Sequence, residues 1–207
     1  MKTIIRLLNP GSGKLLLALT CLILAGISCS KDKSANPPEP PPNTKSVSLF
    51  TTQIPSGVTG NDSLGGIELG VKFRTTVAGK ITGIKFYKTS GNTGTHTGQL
   101  YSSTGSLLAS QQFTSETDSG WQTAMFTTPV DITANTTYIA AYHSSLGNYV
   151  STPLGLQTAI TNDPLTALAD STDGINGLYK YTNDPALPDT GYQSSNYWVD
   201  VIEKINL

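Results

Sequence analysis

The feature that most constrains this chain is the alternation of Glu68-Leu69-Gly70-Val71-Lys72-Phe73-Arg74. Leu69, Val71 and Phe73 fall on one side, and Glu68, Lys72 and Arg74 on the other. A period of two residues is that of a half-buried strand and does not fit a helix. The pattern returns in Ile81–Lys88, where Ile84 and Phe86 point inward while Lys85, Tyr87 and Lys88 are more exposed. It returns again in Thr137–His143, where Tyr138, Ala140 and Tyr142 share a face and Ile139 and Ala141 share the other. Val47–Phe50, Trp121–Phe126 and Tyr197–Ile202 read as further strands, with Trp198 as a large core anchor. Gly98–Ser102 and Leu107–Ser110 read as a hairpin around Ser103–Ser106. Beyond Tyr149 the pattern loosens into connection, with a short hairpin at Gly177–Tyr181. Beyond the first thirty residues, runs of Ala, Leu, Glu and Lys at helical spacing are missing. The expected fold is therefore all-β: an antiparallel β-sandwich, jelly-roll-like, in a single domain.

The N-terminus reads as a targeting segment. Lys2, Arg6 and Lys14 precede the apolar stretch Leu15–Ile27, which is short of the ~20 residues that a spanning helix needs. Gly26, Ile27 and Ser28 then lead to Cys29. This resembles a bacterial lipoprotein signal, although Gly26 stands where a leucine-like residue is usual. The resemblance implies cleavage before Cys29 and lipidation of that residue. The charged tract Ser30–Ser34 is similar to that behind the anchor of surface lipoproteins in Bacteroidetes-like bacteria. The expected location is thus the outer membrane, reached by secretion across the inner membrane, with the domain held at the surface by its acyl chains. The expected division is a signal peptide over 1–28, the lipidated cysteine and a proline-rich linker over 29–45, and the sandwich over 46–207. Pro37, Pro38, Pro40, Pro41 and Pro42 favour an extended polyproline II spacer rising ~3.1 Å per residue. Cys21 and Cys29 are the only cysteines, so the domain itself has no disulfide to staple it.

Composition narrows the partners. The net charge is −1 and only 13% of residues are charged, which argues against a basic nucleic-acid surface. The two histidines, His96 and His143, could serve acid–base chemistry, but no nucleophile-elbow motif accompanies them. His143 closes a strand and reads as structural. His96 lies in the loop Gly91–Gly98, where ordering the loop and touching a ligand are equal readings. Glu68, Glu116, Asp118 and Asp200 are scattered, and no spacing singles out a catalytic pair. Asp200 is open to two readings, a cross-strand pair with Lys85 or Lys88 or a place in the lining of a site. No catalytic residue is assigned, and a glycan-active enzyme stands as a distant alternative.

Binding is easier to motivate, because sugars are held by aromatic faces together with a few oriented polar groups. Tyr101, Tyr142, Tyr149, Tyr192 and Tyr197 are among the aromatics on offer, and Tyr149 and Tyr192 lie in irregular stretches that favour exposure. The candidate groove is placed at Tyr87, Asn92, His96 and Trp121. No cofactor is required by the sequence. A structural calcium ion is an option, with Asp62, Asp170 and Asp173 in oxygen-rich loops as its candidate ligands.

Several separated motifs carry a family resemblance: Glu68–Phe73, Gly83–Lys88, Gly91–Ala109, Ser119–Trp121, Thr127–His143 and Asn196–Val201. Together they resemble the bacterial domain-of-unknown-function 4082 family. The resemblance implies an extracellular accessory β-sandwich and carries no catalytic residues to transfer. The expected function is a non-catalytic cell-surface binding or adhesion module, with a glycan or a cell-surface protein as partner and the lipid membrane as anchor point. The alternative is a structural component of the envelope that assembles through a sheet edge.

Overall fold

A computed structural model of the chain describes residues 42–56, 58–61 and 65–207. The expected signal peptide over 1–28, Cys29, the expected linker up to residue 41 and Asp62 lie outside the described residues. In chain order the strands are β1 (Thr44–Val47), β2 (Val58–Asn61), β3 (Ile67–Thr75), β4 (Gly79–Lys88) and β5 (His96–Ser102). They continue with β6 (Leu107–Gln112), β7 (Gly120–Ile132), β8 (Tyr138–Ser144), β9 (Asn148–Ser151) and β10 (Ile160–Asn162). The last are β11 (Leu165–Ala167), β12 (Leu178–Tyr181), β13 (Thr190–Gly191) and β14 (Val199–Asn206). Among the described residues there is no helix, and the fold is an all-β sandwich.

One sheet has the order β1-β14-β4-β7. The larger sheet runs β10-β11-β3-β8-β5-β6, with β12 also on β3 and β13 on β12, and β2 and β9 form a separate ribbon. The path passes from one sheet to the other at β3–β4–β5 and again at β6–β7–β8. The inward residues of both sheets meet in one cluster: Leu69, Val71 and Phe73 from β3, Ile84 and Phe86 from β4, Tyr138, Ala140 and Tyr142 from β8, and Val199 and Val201 from β14. Phe86 stacks on Tyr142 at 4.3 Å and meets Phe113 edge-on at 4.8 Å. Such ring pairs add ~0.5–1.5 kcal/mol each beyond the area they bury. The alternation read in β3, β4 and β8 is thus the inside–outside pattern of a sandwich.

Both faces of the larger sheet are covered in its middle. The loop 182–189, which joins β12 to β13, lies across the outer face. There Leu187 packs against a second cluster of Tyr101, Ile139, Ala141 and Leu178. A Cβ at Gly70 would stand 2.9 Å from Pro188 Cγ, so glycine allows the close approach. This cover explains why β8 is apolar on both faces. It also buries Glu68, which alternation alone would leave exposed.

Three boundaries differ from expectation. Thr44 and Lys45, assigned to the linker, pair with Asn206 and Ile205 at the sheet edge. Leu49 and Phe50 leave the sheet because the Asp200 carboxylate accepts both of their N–H groups, at 2.7 and 3.3 Å. The last strand begins at Val199, not Tyr197, because Trp198 has a φ of 56°. Asn196 Oδ1 accepts the Trp198 N–H at 2.8 Å, an Asx turn that competes with the strand. Trp198 is nonetheless buried, as expected of an anchor.

Candidate functional site

Tyr87, Asn92, His96 and Trp121 do not share a groove. Phe86 and Tyr87 are consecutive in a strand, so their side chains leave opposite faces of the sheet. His96 packs on Phe86 at 4.8 Å, between the sheets, while Trp121 meets Tyr87 edge-on at 5.5 Å on the outer face. Around Trp121, Phe50 stacks at 5.6 Å, Lys85 Nζ lies 4.6 Å from the ring centroid, and the indole N–H donates to the Gln53 carbonyl. Lys85 also donates to Asp200 at 2.8 Å, one of the cross-strand pairs that the sequence offered. That side of the molecule is a structural staple for the segment that follows β1.

Asn92 and His96 are fully buried and belong to a polar chain. His96 Nδ1 lies 2.9 Å from Glu116 Oε1, and Lys88 Nζ donates to Glu116 Oε2 at 2.8 Å. His96 Nε2 lies 2.8 Å from Asn92 Oδ1, and Ser144 Oγ lies 3.2 Å from the same atom. Burial pushes the His96 pKa down against the pull of Glu116 and so favours the neutral ring. A neutral ring that donates from Nδ1 needs a donor at Nε2. Ser144 spends its one hydroxyl proton on the Asn148 carbonyl at 2.8 Å and needs a donor as well. An Asn92 amide with its NH2 turned toward the two of them meets both needs. Of the two equal readings of His96, loop-ordering is the one that this geometry describes. Its partner Glu116, twenty residues away, carried no signal in the sequence beyond that of a turn acid.

The two described calcium candidates are occupied by protein donors. Asp170 accepts from the backbone N–H groups of Ser171 and Asn176 and from Ser194 Oγ, the last at 2.6 Å. Asp173 accepts from Arg74 Nη2 at 2.9 Å and from the Thr137 hydroxyl, while Lys72 donates to its carbonyl at 2.6 Å. Hydrogen bonds from Ser194 in the one case and from Thr137 in the other lead in holding these carboxyls below their usual range. Two cations beside Asp173 make it a poor place for a third.

The described residues converge differently at another place. Ile67, Tyr149, Tyr179, Tyr181, Tyr192 and Tyr197 line a cavity of about 330 Å³ between the β2–β9 ribbon and the β12–β13 hairpin. Strand geometry puts them there. Tyr179 and Tyr181 alternate with Lys180, so both phenols leave the same face, and Tyr181 sits opposite Ile67 in the β12–β3 register. Gly177, at φ 72°, lies where a Cβ would stand 2.2 Å from the Ser195 carbonyl oxygen, which brings the Tyr192–Tyr197 segment against β12. Gly60, opposite Tyr149 across the ribbon, lacks the Cβ that would meet the Tyr149 ring at 2.4 Å. Tyr149 and Tyr197 pack edge-on at 5.7 Å, and Tyr179 and Tyr181 do so at 5.5 Å. Tyr192 is 59% exposed and Tyr181 44%, whereas Tyr197 is 6% exposed. The cavity thus has a packed back and an open rim. Tyr149, Tyr192 and Tyr197 were among the aromatics that the sequence offered. Tyr179 and Tyr181 were missed, although the Tyr-Lys-Tyr alternation inside an expected hairpin was a usable signal.

On the far face of β3, the buried Glu68 carboxylate accepts from the Ala186 N–H at 3.3 Å and lies 3.5 Å from His143 Nδ1. The Gln99 amide, with its NH2 toward them, donates to Glu68 Oε1 at 2.7 Å and to the Thr97 carbonyl at 2.9 Å. Burial raises the Glu68 pKa to about 7 despite these partners. His143 stands in a buried polar cluster beneath the 182–189 loop, in keeping with its structural reading.

No curated protein matches the chain at a significant level. A sequence profile described only as a domain of unknown function, DUF4082, matches residues 52–199, and the chain belongs to that family.

Proposed function

We propose that the domain is a non-catalytic binding module whose ligand is a glycan, held in the tyrosine-lined cavity. The observation that carries this reading is the convergence of five phenol rings from three separate segments on one opening. Ring faces suit the C–H surfaces of a sugar, and phenol hydroxyls, which both donate and accept, suit its hydroxyls. The described lining holds no carboxylate, histidine or serine, which favours binding over hydrolysis. The binding site therefore moves from Tyr87, Asn92, His96 and Trp121 to the tyrosines.

The cell-surface setting is part of the same proposal. A lipid anchor at Cys29 and a proline-rich stalk would hold the cavity away from the outer membrane. Labelling with a radioactive fatty acid tests the anchor: Cys29→Ser is expected to abolish labelling and release the protein from the membrane fraction.

A glycan-array screen, followed by titration calorimetry on the hits, tests the binding. Saturable binding that disappears in Tyr181→Ala and Tyr192→Ala is expected, since both side chains are exposed enough to be removed without unfolding the protein. A blank array would turn the reading toward protein assembly. The exposed Leu107 and Leu108 on β6, at the edge of the larger sheet, favour that second reading.

A further inference from the structure

We propose that the 182–189 loop is a proton-controlled strap. It lies closed over the outer face of the larger sheet while the Glu68 carboxyl is neutral, and it lifts when that carboxyl carries a charge.

The strap is fixed at its ends and lightly held between them. At one end the Thr182 N–H donates to the Gly66 carbonyl at 3.0 Å, and at the other Asp189 is bound to Lys180 at 2.7 Å. Pro185 and Pro188 have no N–H to give. Among the described residues, the middle of the strap bonds to the sheet through the Ala186 N–H, which donates to Glu68 Oε2 at 3.3 Å. The rest of its hold is apolar. Leu187 rests on Tyr101, Ile139, Ala141 and Leu178. Glycines let it come close: a Cβ would stand 2.9 Å from Pro188 Cγ at Gly70 and 2.7 Å from Leu187 Cδ2 at Gly105. A strand within the sheet is held by a ladder of main-chain bonds. The middle of the strap hangs instead on an acceptor whose charge can change.

That acceptor is badly placed for a charge. Glu68 is fully buried with the strap down, and burial raises its pKa from 4.5 to about 7 against the pull of its partners. Among the described residues, the titratable and charged groups around it come from three strands and the strap. His143 on β8 stands 3.5 Å away. Lys180 on β12 is opposite Glu68 in register, but Asp189 engages it. Tyr101 on β5 has its phenol pKa pushed up by burial and, to a smaller extent, by the Glu68 charge. The strap adds Asp184 and Asp189, which bear the same sign as an ionised Glu68.

Water regains access to the carboxylate with least loss of bonding if the strap rises, because the strands beside Glu68 are tied into the sheet. Linkage sets the sign. A carboxyl that is harder to ionise beneath the strap makes the strap harder to close once it is ionised. Closure is therefore strongest at low pH, weakens as pH rises from 4.5 to about 7, and levels off above that. The same span bounds the change in the closed-to-open ratio at roughly 300-fold.

The test is hydrogen exchange of the whole protein, read by mass spectrometry from about pH 5 to about pH 8, with each rate divided by the intrinsic rate at its pH. Protection of Ala186 and Leu187 is expected to fall at least about tenfold over that range and to level off above about pH 7, while Ile84 and Phe86 in β4 keep theirs. Glu68→Gln keeps an acceptor and cannot ionise, so its strap should stay protected throughout. Leu187→Ala leaves Glu68 in place and should raise exchange across 182–189 at every pH, with the pH step retained. Equal protection of the strap at both ends of the range in the wild type would overturn the proposal. So would a step that survives in Glu68→Gln, or one shared by β4, which would mean that the whole sandwich loosens. Should Glu68→Gln not fold, the wild-type profile decides: a loss that levels off near pH 7 supports the strap, and one that is still growing at about pH 8 overturns it.

Discussion

The polar chain Lys88–Glu116–His96–Asn92–Ser144 and the tyrosine cavity use similar chemistry to opposite ends. In the first, hydrogen-bonding side chains are aimed at one another, and His96 and Asn92 are sealed from solvent. In the second, five phenols are gathered round an open space, with Tyr181 and Tyr192 reaching into solvent. A buried polar network spends its bonding capacity on holding the fold, because an unpaired group there is costly. A rim of half-exposed aromatics instead turns ring faces toward an opening. A polar cluster in the interior is therefore poor evidence of a site, and an open aromatic ring of walls is better evidence.

The largest expected effect breaks the first region. His96→Ala leaves Glu116 with Lys88 alone, removes a partner of the Asn92 amide and opens a cavity beside Phe86. It should lower stability in urea unfolding by on the order of 3 kcal/mol. Sugar affinity of the folded fraction should be unchanged, and a large loss of affinity at full folding would show that the two regions are coupled.

The next effect is read from pH. Glu68 titrates near 4.5 when unfolded and at about 7 when folded, so the folded state holds the extra proton between those values. Its contribution to stability therefore falls as pH rises through that window, by up to on the order of 3 kcal/mol, and stays at its lowest above it. In Glu68→Gln the difference in stability between pH 5 and pH 8 should shrink accordingly, as followed by urea titrations at each pH. An unaltered slope would place the titration elsewhere.

Smaller effects sharpen the second region. Tyr192→Ala should cost at least about tenfold in sugar affinity, or roughly 1.4 kcal/mol. Its unfolding free energy should move by no more than about 0.5 kcal/mol, as for other exposed positions. The reverse pattern, with stability lost and affinity kept, would make the tyrosines packing groups. Gly60→Ala forces the Tyr149 ring to shift, and an affinity loss of several-fold at a stability cost of about 1 kcal/mol is expected. Calorimetry and unfolding on the same sample check both.

Much of the fold was legible because alternation is a local property. Leu69, Val71 and Phe73, then Ile84 and Phe86, declare the inward face of a strand without reference to any other part of the chain. The pairing of Asp200 with Lys85 was also within reach, since both lie on strands with readable faces. The 182–189 loop was not, because nothing local shows that Leu187 and Pro188 would cover a sheet and turn Glu68 into an interior residue. The expected groove failed for a related reason. Tyr87 and His96 are nine positions apart, yet a sheet stands between the surfaces they occupy.

The sequence by itself determined the most regular strands, the class of fold, the family and the absence of any disulfide within the domain. Each of these depends on period, motif or count. Which residues form the candidate site was decided only by tertiary structure. The tyrosine cavity joins β9, the β12–β13 hairpin and the run before β14, and that meeting is set by strand order and by glycines that let backbones approach. A two-residue period says which way a side chain points from its own strand, and only the packing of strands says what it points at.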